Sequence, residues 1–203
     1  MKVLFATKNK MKFELMKKRL ESINDIELVS PDMLGIDIKV DENGNTAEEN
    51  AIIKARAYNQ ASNMPTIAED SGLFIDKFRE SEQPGLFVKR VNGREDLTDE
   101  QVLNYYIDKL SKYDNRSLAH YYTGVCVING DKEYSDTIDE EEFLLTTTRC
   151  KKVPMQGGVL DCISYDLDAM KYFPERNTEE EKVHYKELDT KYCDIVKKQL
   201  LAK

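Results

Sequence analysis

Three stretches of this chain gather side chains whose types and spacing suit phosphate chemistry. Glu69-Asp70-Ser71-Gly72 sets two carboxylates next to each other. Like charges that close repel unless a cation or solvent relieves them. Mg²⁺ suits such a place, because it takes oxygen ligands and keeps waters and phosphates in its shell. One carboxylate can hold the ion while the other orients or deprotonates a water. A solvated acidic turn accounts for the same residues. Glu49-Asn50 with Lys54 is the second stretch. Asn50 and Lys54 lie one helical turn apart and share a face. Glu49 either closes a capping box with Thr46 or offers a carboxylate to a metal. The third is Thr7-Lys8-Asn9-Lys10-Met11-Lys12. There, free backbone N–H groups, a helix dipole and three lysines could cradle a triphosphate. It contains no glycine, so it is not a P-loop. An ordinary capped helix with solvated lysines fits it as well.

The elements that must position these residues follow from periodicity. Val3 to Ala6 reads as a buried strand that breaks at Thr7-Lys8-Asn9 and feeds a helix with Met11, Leu15, Met16 and Leu20 on one side. In α/β folds such a turn lies at the carboxyl end of a strand, where ligands bind. Ile36, Ile38 and Val40 alternate with polar residues and predict an edge or half-buried strand. Thr46 to Glu49 opens a helix that runs to about Ser62, and Pro65 to Ala68 is a brief strand ending at the acidic turn. Arg79 to Gly93 reads as loop, and Thr98 to Gln101 opens a second capped helix. Leu118 to Ile128, Asn129-Gly130 and Tyr134 to Ile138 predict a hairpin, with Glu142 to Thr148 a third strand. Leu188, Tyr192, Ile195, Val196 and Leu200 predict a closing amphipathic helix. Alternating strands and helices followed by hairpins predict an α/β fold with a mixed sheet.

Composition narrows the partners. A chain of 203 residues with 40% hydrophobic and 33% charged residues is expected to form one domain, 1–203. Its net charge of −8 argues against a nucleic-acid backbone as partner. No apolar run approaches the roughly 18–20 residues of a membrane span, and the expected location is cytoplasmic. The four cysteines, Cys126, Cys150, Cys162 and Cys193, show no zinc spacing and read as reduced thiols. The acidic run Asp139 to Glu142 reads as solvated, with no role assigned.

Taken in order, the clusters resemble the inosine/xanthosine triphosphate pyrophosphatase family. Thr7, Asn9 and Lys12 are similar to its opening Thr-x-Asn-x-x-Lys pattern. Glu49-Asn50-Ala51-Ile52-Ile53-Lys54-Ala55 resembles its Glu-Asn-Ala-x-x-Lys-Ala segment, and Asp70-Ser71-Gly72-Leu73 its Asp-Ser-Gly-Leu segment. Pro84-Gly85-Leu86-Phe87 through Arg90 resembles its Pro-Gly-x-aromatic-x-x-Arg loop. The resemblance implies an elongated mixed sheet flanked by helices, two lobes with a nucleotide cleft between them, and a homodimer. It implies that Thr7, Asn9, Lys12, Asn50, Lys54, Ser71 and Arg90 bind the triphosphate, that Glu49, Glu69 and Asp70 lie at Mg²⁺, and that Asp70 activates water to release pyrophosphate and leave the monophosphate.

The resemblance thins beyond about residue 128. Gly157-Gly158-Val159-Leu160-Asp161-Cys162 stands where the family has Gly-Phe-Gly-Tyr-Asp-Pro, and both stacking aromatics are missing. Val183-His184-Tyr185 is the nearest match to the family's Ser-His-Arg, without the arginine. His184 is thus either a base contact or a surface histidine at the start of the last helix. Losing a stacking aromatic and an arginine fork removes base recognition more than phosphate chemistry. The resemblance implies a non-standard purine triphosphate such as ITP, dITP or XTP as substrate, and the missing aromatic and arginine predict a different or less selective base preference than in the relatives. The alternatives are a pyrimidine or modified nucleotide, as in the related Maf-like group, and a catalytically weak nucleotide-binding module.

Overall fold

The computed structural model describes residues 1–94, 96–152 and 158–201. Gly157, part of the divergent glycine stretch, lies outside them. Eight strands form one mixed sheet hydrogen-bonded in the order β2-β1-β3-β4-β6-β7-β8, with β5 on β4. The chain divides into two compact units. The first holds Met1–Ser71, Tyr122–Asp139 and Glu187–Lys203, and the second Gly72–Tyr121 and Glu140–Lys186.

In the first unit, β1 (Lys2–Phe5) pairs in parallel with β2 (Glu27–Val29) and with β3 (Thr66–Ile75). The second half of β4 (Arg116–Asn129) forms the predicted hairpin with β5 (Lys132–Asp139), in register from Tyr122↔Asp139 to Asn129↔Lys132. Gly130 takes the left-handed φ of +60° that this tight turn needs. Strand alternation sends Leu4, Ala6 and Ala68 into a core shared with Ala51, Ala55 and Tyr58 of α2 (Ala47–Ser62). The alanine stripe lets this helix lie low on the sheet. Gly124 permits the closest approach: a Cβ there would stand 2.2 Å from Glu48 N and 2.3 Å from the Ala47 carbonyl carbon. Gly124→Ala is therefore expected to push the start of α2 away and to destabilise the chain by about 1–3 kcal/mol, as overpacking does. A denaturant titration checks this, and a loss of a few tenths of a kcal/mol would mean that the helix shifts freely.

In the second unit, the first half of β4 pairs with β6 (Phe143–Thr146), β6 with β7 (Ser164–Asp166), and β7 with β8 (Lys171–Tyr172), all antiparallel. The amphipathic helix α3 (Asp99–Leu110), with the full Thr98/Gln101 capping box, buries Val102, Leu103, Tyr106 and Leu110 against Leu73, Ile75, Ala119, Phe143 and Leu145. A short helix, α4 (Thr178–His184), and α5 (Lys186–Val196) close the fold, α5 ending in a π-helical turn.

Three expectations need correction. Ile36, Ile38 and Val40 form no strand; they pack at the margin of the first core, with the Ile38 carbonyl taken by Lys8 Nζ at 3.0 Å. Apolar alternation thus reported one-sided burial without a pairing partner. The acidic segment is no turn: β3 runs unbroken from Thr66 to Ile75 through Glu69-Asp70-Ser71-Gly72. His184 is not on the surface but 5% exposed.

Candidate active site

The unbroken β3 decides where the two acids go. Adjacent strand residues point to opposite faces, so Ile67 and Glu69 share one face while Ala68 and Asp70 share the α2 face. The repulsion anticipated for a turn is relieved by the backbone between them and by separate sets of partners.

Glu69 faces α1 (Lys10–Arg19) and α5. Its carboxylate accepts from Tyr192 Oη at 2.7 Å, with Lys12 Nζ at 3.4 Å and Arg19 Nη1 at 3.9 Å. Burial by itself would raise this carboxyl, but the Lys12 and Arg19 charges and the Tyr192 hydroxyl outweigh it and hold Glu69 below its ordinary range. Arg19 is in turn fixed by Asp189 at 2.7 Å and lies over the Tyr192 ring.

Asp70 faces α2. Its Oδ2 accepts from Asn50 Nδ2 at 3.0 Å, and Lys54 Nζ lies 3.7 Å from Oδ1. Lys54 also donates to the Glu69 carbonyl at 3.1 Å and pairs with Glu42 at 2.9 Å. The helical spacing of Asn50 and Lys54 thus brings both to one carboxylate. Sequence reasoning passed over Glu42, because nothing in a turn residue signals that the loop folds back onto Lys54. Gly44 allows that fold: its N–H donates to Asn50 Oδ1 at 2.8 Å, and a Cβ there would lie 2.7 Å from the Glu49 Cβ. Asn50 is almost fully buried, with its acceptor and its donor each assigned.

The N-terminal turn is more self-contained than its sequence suggests. Thr7 Oγ1 accepts from Asn9 N at 3.1 Å, and Asn9 Oδ1 caps α1 by accepting from Met11 N and Lys12 N. Lys8 pairs with Asp37 at 2.6 Å, which leaves Lys12 as the lysine directed at Glu69. Thr46 caps α2 through Glu49 N, but the Glu49 carboxylate reaches Asn45 N at 2.6 Å rather than closing a box on Thr46. Ser71 Oγ lies 2.9 Å from Thr123 Oγ1.

Arg90 and His184 belong to the second unit. The Arg90 guanidinium lies over the Phe87 ring at 5.1 Å. His184 Nδ1 is 3.3 Å from Asp166 Oδ2, which also accepts from Arg176 Nη1 at 2.9 Å. Arg176 stacks on Phe173 at 3.9 Å. This buried ion pair was not anticipated, because Asp166 and Arg176 carry no local pattern that marks them as partners.

Carboxylate oxygens suit a hard divalent ion. Asp70 and Glu42 both face one ammonium, Lys54 Nζ. Glu69 stands on the face of β3 opposite Asp70.

Residues 3–150 match the model of the Ham1 family. The chain is 37% identical over 124 residues to a dITP/XTP pyrophosphatase of Hydrogenobaculum sp., covering 58% of this chain and 56% of that protein. To a dITP/XTP pyrophosphatase of Thermoanaerobacter pseudethanolicus it is 35% identical over 135 residues, covering 66% of each. The chain thus spans between about half and two-thirds of the length of these curated relatives. The solved structure of the Staphylococcus aureus Ham1 protein superposes with a TM-score of 0.72 at 22% identity, over 97% of this chain and 98% of that one. A HAM1 protein from Coxiella burnetii gives 0.74 at 21%, over 96% and 99%. These likenesses establish the same mixed α/β fold. No helix among the described residues is long and apolar enough to cross a membrane. With most of its length matched by the family model, the chain belongs to the Ham1 family.

Proposed function

We propose that this protein hydrolyses nucleoside triphosphates to the monophosphate and pyrophosphate, acting on non-standard purine nucleotides such as dITP, ITP and XTP. The observation that carries the reading is Asp70, held on one face of β3 between the Asn50 amide and the Lys54 ammonium in a Ham1 chain. Its support is the name dITP/XTP pyrophosphatase carried by the relatives above.

In this reading Asp70 takes a proton from a water whose oxygen attacks the α-phosphorus. A new P–O bond forms, the bond from the α-phosphorus to the bridging oxygen breaks, and pyrophosphate leaves. The Asn50 donor fixes the carboxylate plane, so the base meets the water in one orientation. Lys12 and Lys54 receive the phosphate oxygens, with Thr7, Asn9 and Ser71 placing the chain. A divalent cation of the Mg²⁺ kind offsets charge on the phosphoryl oxygens when bound. Asp70 and Glu42 would hold it, with Glu49 at the neighbouring helix start. Glu69 would keep Lys12 and Arg19 in place from the opposite face. A homodimer and a cytoplasmic location belong to the same reading and rest on the resemblance alone.

Pyrophosphate release from a panel of nucleoside triphosphates, with and without Mg²⁺, tests this. Mg²⁺-dependent release from dITP, ITP and XTP above the ordinary nucleotides is expected. Release from a pyrimidine or modified nucleotide alone would keep the chemistry and move the substrate. Absence of release from every triphosphate, or release of orthophosphate, would overturn the reading.

A further inference from the structure

The acidic run that ends at Glu142 acquires a neighbour the sequence does not reveal. Asp76 follows the last residue of β3, and its N–H donates to the Leu118 carbonyl of β4 at 3.0 Å. Ala119 of β4 pairs with Phe143 of β6, so His120 and Glu142 stand side by side at the next step. Ile75, Ala119 and Phe143 all point into the α3 core. By strand alternation, His120 and Glu142 point to the sheet face away from α3.

There one ligand atom each of Asp76, His120 and Glu142 lies within 4.8 Å of the other two. Asp76 and Glu142 are exposed and His120 is half-buried. The His120 ring packs on Phe74, centroids 5.4 Å apart, which restricts its swing. Among the described residues none of the three side chains makes a hydrogen bond or an ion pair, so no lysine or arginine neutralises the two acids. Surface carboxylates of this protein are commonly paired: Asp37, Asp96 and Glu100 each hold a cation. Two carboxylates and an imidazole converging from three segments, with no cation among them, match a metal donor set. One imidazole with two carboxylates favours a borderline ion over Mg²⁺, and three protein ligands leave the fourth tetrahedral position to water.

We propose that Asp76, His120 and Glu142 bind a divalent first-row transition ion of the Zn²⁺ type and thereby tie β3, β4 and β6 together. This site is separate from the carboxylates around Asp70 and does not depend on the hydrolytic reading.

The test uses the full chain, stripped of metal and titrated with Co²⁺ as a visible probe for Zn²⁺. A ligand-field band that saturates at equimolar ion is expected. His120→Gln should abolish it, and Glu142→Gln, at an exposed position, should weaken binding by about tenfold or more, the scale on which metal affinity responds even to outer partners. Asp70→Asn should leave the band unchanged. Zn²⁺ should raise the melting temperature of the parent chain and not that of Glu142→Gln. A band that persists in both His120→Gln and Glu142→Gln, one lost in Asp70→Asn, or a thiolate charge-transfer band reporting cysteine ligation would overturn the proposal.

Discussion

Asp70→Asn is expected to lower the turnover of any nucleotide this protein hydrolyses by about 10²–10⁴-fold, the usual worth of a positioned general base. The substitution keeps the volume and the hydrogen-bonding reach of the side chain. Its amide oxygen can still accept from Asn50 Nδ2, so the local arrangement survives. What disappears is a group able to take the water's proton. Lys12 and Lys54, the cations proposed to receive the phosphates, remain. Binding of the triphosphate, measured by calorimetry without divalent cation, should therefore persist while pyrophosphate release collapses. A drop of less than about tenfold would place the base elsewhere.

The second large effect is one of stability. Asp166 is 1% exposed and accepts from Arg176 and from the N–H groups of Asp168 and Ala169. Asp166→Ala would strand the buried Arg176 guanidinium, and breaking a buried pair in this way costs about 3–5 kcal/mol. For a chain of this size that corresponds to a fall in melting temperature of about 10 °C. The same cluster sets an acid sensitivity. Burial, reinforced by Arg176, holds His184 below its ordinary 6.5, although Asp166 pulls it the other way. As pH falls through 6.5 the unfolded chain protonates first, so this contribution to stability is complete above that value and drains below it. Burial works to raise Asp166, but the Ala169 N–H, Arg176 and His184 together outweigh it and depress the group below 3.8. Its contribution is present above 3.8 and is lost in a second, more acidic window as pH falls through the folded value. Thermal melts from neutral to acidic pH should show the first loss in the parent and not in His184→Gln. An identical slope in both would exonerate the histidine.

The geometry around Asp70 and the two helix starts was legible where it is local. Asn50 and Lys54 share a helical face by spacing, Asn9 and Thr46 declare helix starts, and Asn129-Gly130 declares a hairpin. The unbroken β3 was not legible, since an Asp-Ser-Gly sequence ordinarily ends a strand. Lys12, Arg19 and Tyr192 at Glu69, and Asn50 and Lys54 at Asp70, make two adjacent carboxylates tolerable inside one. Glu42, Asp166 and Arg176 escaped for the same reason: their partners are chosen by tertiary folding. The strands β7 and β8 are too short to carry a period.

The Asn50 amide faces a donor at one end, the Gly44 N–H, and a carboxylate acceptor at the other, Asp70. Neither end can be exchanged for the other. An aspartate would set two anions against each other, a leucine would leave both partners unanswered, and a glutamine would overshoot by a methylene. In terms of substitution tolerance, position 50 is therefore a one-letter position, although its side chain takes no proton and needs to touch no substrate.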